Sequence, residues 1–394
     1  MVKLLIGLAM VLIGGSFFIL ELSFEPKDLV IGFSVVIVTL KLCIGTTEYK
    51  FTSRSYFYFF FLFFWFQSAV MSYINLGQSF FEGLITSRIY FAYFMFLLAL
   101  DSFFVALDEK TINRALGLIS IALIFINFAL FVTGTYTILP EDMYAFRDGQ
   151  VRFLIGGGFS ILLFLYFSSS FKDWFWSKVI VIGFLLVFII VARTRSIFAT
   201  MIILFTYEQV KNSGLFGAIK YYIILLVLVA MLFPLISDFN IEENITNLFT
   251  SSVNDISERE GNFGFRILEV YYFLSFLEPL SHIFGFGMPG KGFSDLFYEN
   301  AFVSDIGVFG TYFYHGAVGL MLFVVLLIKL FKLGNRSGGA AASLLVLFVF
   351  YHVISGALIV LLYDIPAMML VLFMAKVADA GLPKERSRQN LLTS

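Results

Sequence analysis

Lys178-Val-Ile-Val-Ile-Gly-Phe-Leu-Leu-Val-Phe-Ile-Ile-Val-Ala192 and Ser196-Ile-Phe-Ala-Thr-Met-Ile-Ile-Leu-Phe-Thr-Tyr-Glu-Gln-Val210 are two apolar runs joined by Arg193-Thr-Arg195. Apolar runs of this order cross bilayers, where a helix needs about 20 such residues. Working outward from this pair, twelve stretches of the same kind can be read: 4–20, 29–46, 55–74, 89–107, 116–135, 153–169, 178–192, 196–210, 219–237, 305–328, 340–362 and 365–379. The first is read as a retained helix, because no small-residue cleavage site follows it. The expected fold is therefore an all-α polytopic membrane protein with about 12 transmembrane helices. They form one integral membrane domain, residues 1–379, followed by a polar tail, 380–394, expected to be cytoplasmic and disordered.

Composition agrees. Of the 394 residues 60% are hydrophobic and 13% charged; a soluble domain has about 45–50% and about 25%. Mean hydropathy is +0.94. A net charge of −1 excludes nucleic acid as the main partner, and a single cysteine, Cys43, excludes a disulfide scaffold. Three histidines and one cysteine leave little for a metal centre, so no metal and no cofactor is expected.

Basic residues orient the chain. With twelve spans and both termini cytoplasmic, 17 of the 26 Lys and Arg residues fall inside, the positive-inside bias. Acidic residues run the other way, 19 of 27 outside. The longest connection, residues 238–304, lies on the outer face between the ninth and tenth spans. A short amphipathic helix is expected in it from about Phe265 to Leu277. Long structured loops are usually functional.

Several residues break the pattern. Arg193 and Arg195 sit on the outside, in a tight turn. They either reach lipid phosphates or form an anion site, in which guanidinium forks add to the free N–H groups and positive dipole of a helix start. Arg266 in Gly264-Phe-Arg-Ile-Leu-Glu-Val270 is either the salt-bridge partner of Glu269 or a third cation over that site. Gly285-Phe-Gly-Met-Pro-Gly-Lys-Gly292 nearly spells a nucleotide-binding loop. Gly292 stands where the Mg²⁺-binding hydroxyl belongs, so the glycines are read as points of backbone turning and close approach. Asp305, in Phe302-Val-Ser-Asp-Ile-Gly-Val308, is either a helix cap with Ser304 or a general base. His282 faces outward and is the more plausible proton carrier; His315 and His352 lie in spans and are read as packing residues. Asp101 and Asp364 are expected at the membrane interfaces.

Ala192-Arg-Thr-Arg-Ser-Ile-Phe-Ala199, Phe265-Arg-Ile-Leu-Glu269 with Pro279-Leu-Ser-His-Ile-Phe-Gly-Phe-Gly287, and Ser304-Asp-Ile-Gly-Val-Phe-Gly-Thr-Tyr-Phe-Tyr-His-Gly-Ala-Val-Gly-Leu320 together resemble the O-antigen ligase and polysaccharide polymerase superfamily. The first looks like the family's Thr-x-Ser-Arg turn, the second like the Gly-Arg helix and Gly-x-Gly segment of its large periplasmic loop, and the third like its polar residue leading into a helix. The likeness covers roughly residues 178–325. Ligases carry a His-Asn pair where this chain has Ser304-Asp305, so a polymerase is the preferred member.

The resemblance implies a glycosyltransferase of the bacterial inner membrane, working at the periplasmic face. It would move a growing glycan from undecaprenyl diphosphate onto a lipid-linked repeat unit, as in lipopolysaccharide biosynthesis. Arg195 and Arg266, with Arg193 adjacent, are then the diphosphate-binding and catalytic arginines, and Asp305 or His282 the base. Implied partners are the undecaprenyl-diphosphate-linked oligosaccharide as donor and acceptor, membrane lipids, and a chain-length regulator and flippase of the same pathway. The alternatives are an O-antigen ligase and a lipid-linked oligosaccharide flippase or transporter.

Overall fold

A computed structural model describes residues 26–44, 55–103, 109–139, 144–147, 150–171, 174–192, 195–236, 262–290, 303, 307–355 and 364–380. The expected first span, the Arg193 turn residue, Asp305, most of the 238–304 loop and the tail beyond 380 lie outside these residues.

Apart from one short hairpin, the described chain is all-α. The helices are α1 (Pro26–Ile44), α2 (Ser55–Leu76), α3 (Phe80–Thr86), α4 (Arg88–Phe103) and α5 (Glu109–Thr133). Strands β1 (Tyr144–Arg147) and β2 (Gln150–Phe153) follow, then α6 (Gly157–Ser169) and α7 (Phe175–Leu186). A π-helical turn, Val187–Ala192, continues α7. Beyond it come α8 (Arg195–Ile236), α9 (Asn262–Leu274), α10 (Pro279–Phe284), α11 (Val308–Arg336), α12 (Gly339–Ser355) and α13 (Ile365–Ala380). Among the described residues four stretches are long and apolar enough to cross a membrane, Tyr56–Leu76, Lys110–Thr133, Phe175–Ala192 and Val308–Arg336. The pair α3 and α4, bent by 60°, raises the number to five if it counts as one span. The protein is membrane-embedded, and its helices fall on the apolar stretches read from the sequence wherever those stretches are described.

Local chemistry explains the boundaries. Ser79 caps α3, its Oγ accepting from the Glu82 amide at 3.2 Å, in a Ser-x-x-Glu pattern. Two long helices are broken at glycines with positive φ, α8 at Gly214 and α11 at Gly316. The expected loop helix is present as α9, three residues earlier than anticipated. The hairpin was not anticipated. Its register pairs Arg147 with Gln150, and the intervening residues are Asp148-Gly149, a dipeptide that two-residue hairpins favour.

At the centre stands α6, buried from Gly158 to Ser168, packed on α5, α7, α8, α12 and α13. α13 is nearly as enclosed. Asp364 joins these two helices. One carboxylate oxygen accepts from the Ala367 amide at 2.9 Å and the other from the Gly158 amide at 2.5 Å. It is therefore a half-buried structural cap for two helix starts. At the periphery Arg88 grips Asp28 through two nitrogens, at 2.6 and 3.1 Å, and fastens α1 to α4.

Candidate functional site

α2 is rich in phenylalanine, yet one of its faces is polar. Gln67, Ser68, Ser72 and Asn75 recur along it, and Gln78 follows just beyond its end. Against this face lies the glycine segment 285–290. The Asn75 amide donates to the Phe286 carbonyl at 2.9 Å and to the Gly285 carbonyl at 3.3 Å. Ser68 Oγ accepts from the Met288 amide at 3.0 Å, and Ser72 Oγ donates to the Met288 carbonyl at 2.8 Å. Gln78 Oε1 accepts from the Gly290 amide at 2.9 Å. Ser281 Oγ donates to Asn75 Oδ1 at 2.9 Å.

The break in α11 supplies the other side. Ending the helical ladder at Gly316 (φ 63°) frees the carbonyls of the turn before it. Phe313 O accepts from the Phe286 amide at 2.7 Å, and Tyr314 O from the Gly287 amide at 3.1 Å. Non-helical backbone survives at membrane depth only when protein satisfies its polar groups; here α2 and α11 do so. The approach is close enough that a Cβ on Gly285 would overlap the Tyr314 carbonyl, and one on Gly287 would overlap Ser72. The amides of 286, 287, 288 and 290 are thus committed to protein acceptors, which removes the phosphate-cradling role of a nucleotide loop.

Beneath the segment His315 is buried and satisfied at both ring nitrogens. Nδ1 lies 2.9 Å from Gln67 Oε1, and Nε2 lies 2.6 Å from the Tyr90 hydroxyl. Gln67 turns its Nε2 toward the carbonyls of Phe284 and Tyr314, so its oxygen faces His315. This assigns the Nδ1–H tautomer, with Tyr90 donating to Nε2. The packing role expected for His315 is the one found.

Above the segment a separate apolar cluster of Phe273, Leu277, Phe286, Val303 and Phe313 ties α9 to α11. Phe286 stacks on Phe313 at 4.9 Å. His282 on α10 is exposed, and its Nδ1 lies 2.9 Å from the hydroxyl of Tyr312 on α11. Arg266 lies on α9. Both α9 and α10 pack on α11, whose first residue, Val308, follows Asp305 by three positions. Arg195 is the first residue of α8, directly beyond the π-helical turn. π-helical turns inside α-helices are frequent at functional sites. The α8 helix packs mainly on α6, α12 and the π turn. Of the five residues singled out in the sequence, His282 alone has a described side chain; Arg195 and Arg266 are described as helix positions, and Arg193 and Asp305 lie outside the described residues. The polar face of α2 was missed. Its signal was present: polar residues at three- and four-residue spacing in an apolar helix mark a buried, functional face. Among the described residues no cluster of His, Cys, Asp or Glu is spaced to hold a metal.

The class defined by these features is a membrane-embedded helical protein with a loop segment docked between a polar helix face and a broken helix. Compared with protein-family models, curated proteins and solved structures, the chain has no match.

Proposed function

We propose that this protein is a polysaccharide polymerase of the bacterial inner membrane, with twelve spans and the 238–304 loop on the periplasmic side. It transfers a growing glycan from undecaprenyl diphosphate to a hydroxyl of a lipid-linked repeat unit. The observation that carries this reading is the convergence of α9 and α10 on α11, because these helices bear Arg266 and His282 and follow Asp305.

Breaking the sugar–phosphate bond develops negative charge on the departing diphosphate. Arg195 and Arg266, with Arg193 beside them, stabilise that charge through preorganised donors, the term that dominates many such reactions. The start of α8 adds free N–H groups and its dipole to Arg195. Asp305 or His282 takes the acceptor proton; the Tyr312 hydroxyl orients the His282 ring. The docked segment 285–290 directly follows α10, which bears His282, and its hydrogen bonds to α2 and α11 hold that end of α10 in place.

Replacing Arg195 or Arg266 by Ala in a strain lacking the chromosomal copy tests this reading. Surface glycan should collapse from a long-chain ladder to single repeat units while the protein stays in the membrane. An unchanged ladder in both variants rejects the assignment.

A second reading, lipid-linked oligosaccharide transport, is favoured by one observation. Broken helices with polar groups at the break, as in α11 at Gly316, also occur in transporters. Proteoliposomes containing the purified protein separate the two: transport moves a fluorescent lipid-linked repeat between leaflets, polymerisation lengthens it.

A further inference from the structure

At the end of the bundle away from the glycine segment, a cavity of about 320 Å³ opens between α2, α4, α11 and α13. That is the low end of the range for small-ligand sites, about 300–1,000 Å³. Its floor is a charged pair. Lys376 of α13, only 6% exposed, bonds to Asp101 of α4, and the Tyr58 hydroxyl donates to the same carboxylate. Its rim is cationic. Lys329, Lys332 and Arg336 line it at three- and four-residue spacing on α11, with Asp379 the other acidic group. Among the described residues four cations thus line the cavity with two carboxylates, a surplus of two positive charges. Lys329 Nζ lies 5.9 Å from the centroid of the Tyr56 ring. Among the described residues Lys332 and Arg336 have no ion-pair partner.

The walls point to the kind of anion that suits this rim. Leu97, Leu333 and Leu372 line the cavity beside the charges, so the ligand carries apolar bulk next to its negative group. On α11 the exposed side chains Met321, Val325 and Ile328 form one stripe at four- and three-residue spacing, and the next position on it is Lys332. An apolar track thus leads along the helix to the cationic rim. A phosphate fits that rim, since the Arg336 fork matches two phosphate oxygens and Lys332 adds a point charge.

We propose that this cavity binds the phosphate of an anionic phospholipid, with its acyl chains along the Met321–Val325–Ile328 stripe. The site is distinct from the loop side of the molecule and rests only on the protein being membrane-embedded, not on glycosyl transfer.

The test uses the full-length protein in nanodiscs of phosphatidylcholine with increasing phosphatidylglycerol, read by thermal unfolding and by native mass spectrometry of retained lipid. Phosphatidylglycerol should raise the melting temperature and stay bound. The Lys332→Gln, Arg336→Gln double variant should weaken phosphatidylglycerol affinity about thirtyfold, as expected for two basic groups at an anionic surface, and shrink the rise in melting temperature accordingly. Lys332→Arg should keep it. A control of equal charge change on exposed α5 positions, Lys110→Gln with Arg114→Gln, should leave it intact. The proposal is overturned by equal stabilisation from phosphatidylcholine alone, by an undiminished effect in the rim variant, or by the same loss in the α5 control. It is overturned equally if inorganic phosphate reproduces the stabilisation, because the anion is then not a lipid.

Discussion

Asp364 shows how much a single side chain can organise. The start of α6 has two glycines, Gly156 and Gly157, both with positive φ, and no cap of its own. The acceptor comes from more than 200 residues away. Replacing Asp364 by Ala should cost about 2 kcal/mol, about 1 for each helix start left uncapped, measured by thermal or denaturant unfolding in detergent. Asn, which retains one acceptor oxygen, should cost less. The carboxyl also titrates abnormally. Burial raises its pKa from 3.8 to about 6, outweighing the Ala367, Gly158 and Phe159 amides that favour the charged form. With the folded pKa above the unfolded one, the native protein holds the proton more tightly. Stability from this group is complete below about pH 4, falls as pH rises to about 6 and is level beyond. Asp364→Asn should remove that slope from the melting temperature between pH 4 and 7. The sequence showed Asp364 as an acid at a helix boundary; its second helix is a tertiary partner that no local pattern encodes.

The next scale is the docked segment and its two supports. A peptide lodged between membrane helices is stable only while each of its polar groups is matched. Gln67 serves three groups that frame the segment, His315 Nδ1 and the carbonyls of Phe284 and Tyr314. Gln67→Leu leaves His315 Nδ1 and the Phe284 carbonyl without this partner, at about 1–3 kcal/mol each, while the Tyr314 carbonyl keeps the Gly287 amide. Destabilisation of about 2 kcal/mol or more should appear in unfolding, with faster hydrogen exchange at the 286–288 amides. Gly285→Ala should be at least as severe, because its Cβ meets backbone that cannot move aside. Comparable exchange at 286–288 in wild type and Gln67→Leu would show that the segment does not depend on α2. The Gly-x-Gly segment was legible as a place of close backbone approach. The partner was not, because one polar residue per helical turn in α2 is diluted among aromatics, and apolar helices carry no amphipathic signal to separate a packed face from a lipid face. The hairpin at 144–153 was missed for a different reason: its strands are only four residues each, too short for a clear alternation, although Asp148-Gly149 is a good turn signal.

For the whole molecule, hydropathy was a strong guide because the bilayer forces each spanning stretch to be apolar and helical. It located the helices well and said nothing of which neighbours they choose. The contacts between distant elements are informative here. Asp28 pairs with Arg88, Asp101 with Lys376, Tyr166 with Asn113, and Asp364 with the start of α6. In each case the two partners are residues that the basic-residue pattern assigns to the same side of the bilayer. An error of one span in that pattern would set such partners on opposite faces. The alternation therefore makes a sharp prediction. With Cys43, the only cysteine, replaced by Ser, single cysteines are introduced at Thr133 and Leu280, expected outside, and at Ser337, expected inside. A membrane-impermeant maleimide added to intact spheroplasts should label the first two and spare the third, which should react only after the membrane is opened. Labelling of Ser337→Cys from outside would invert the bundle and carry the cationic cavity to the outer face. Protection of Leu280→Cys would take His282 and the docked segment away from the periplasm, and with them the proposed site of glycan transfer.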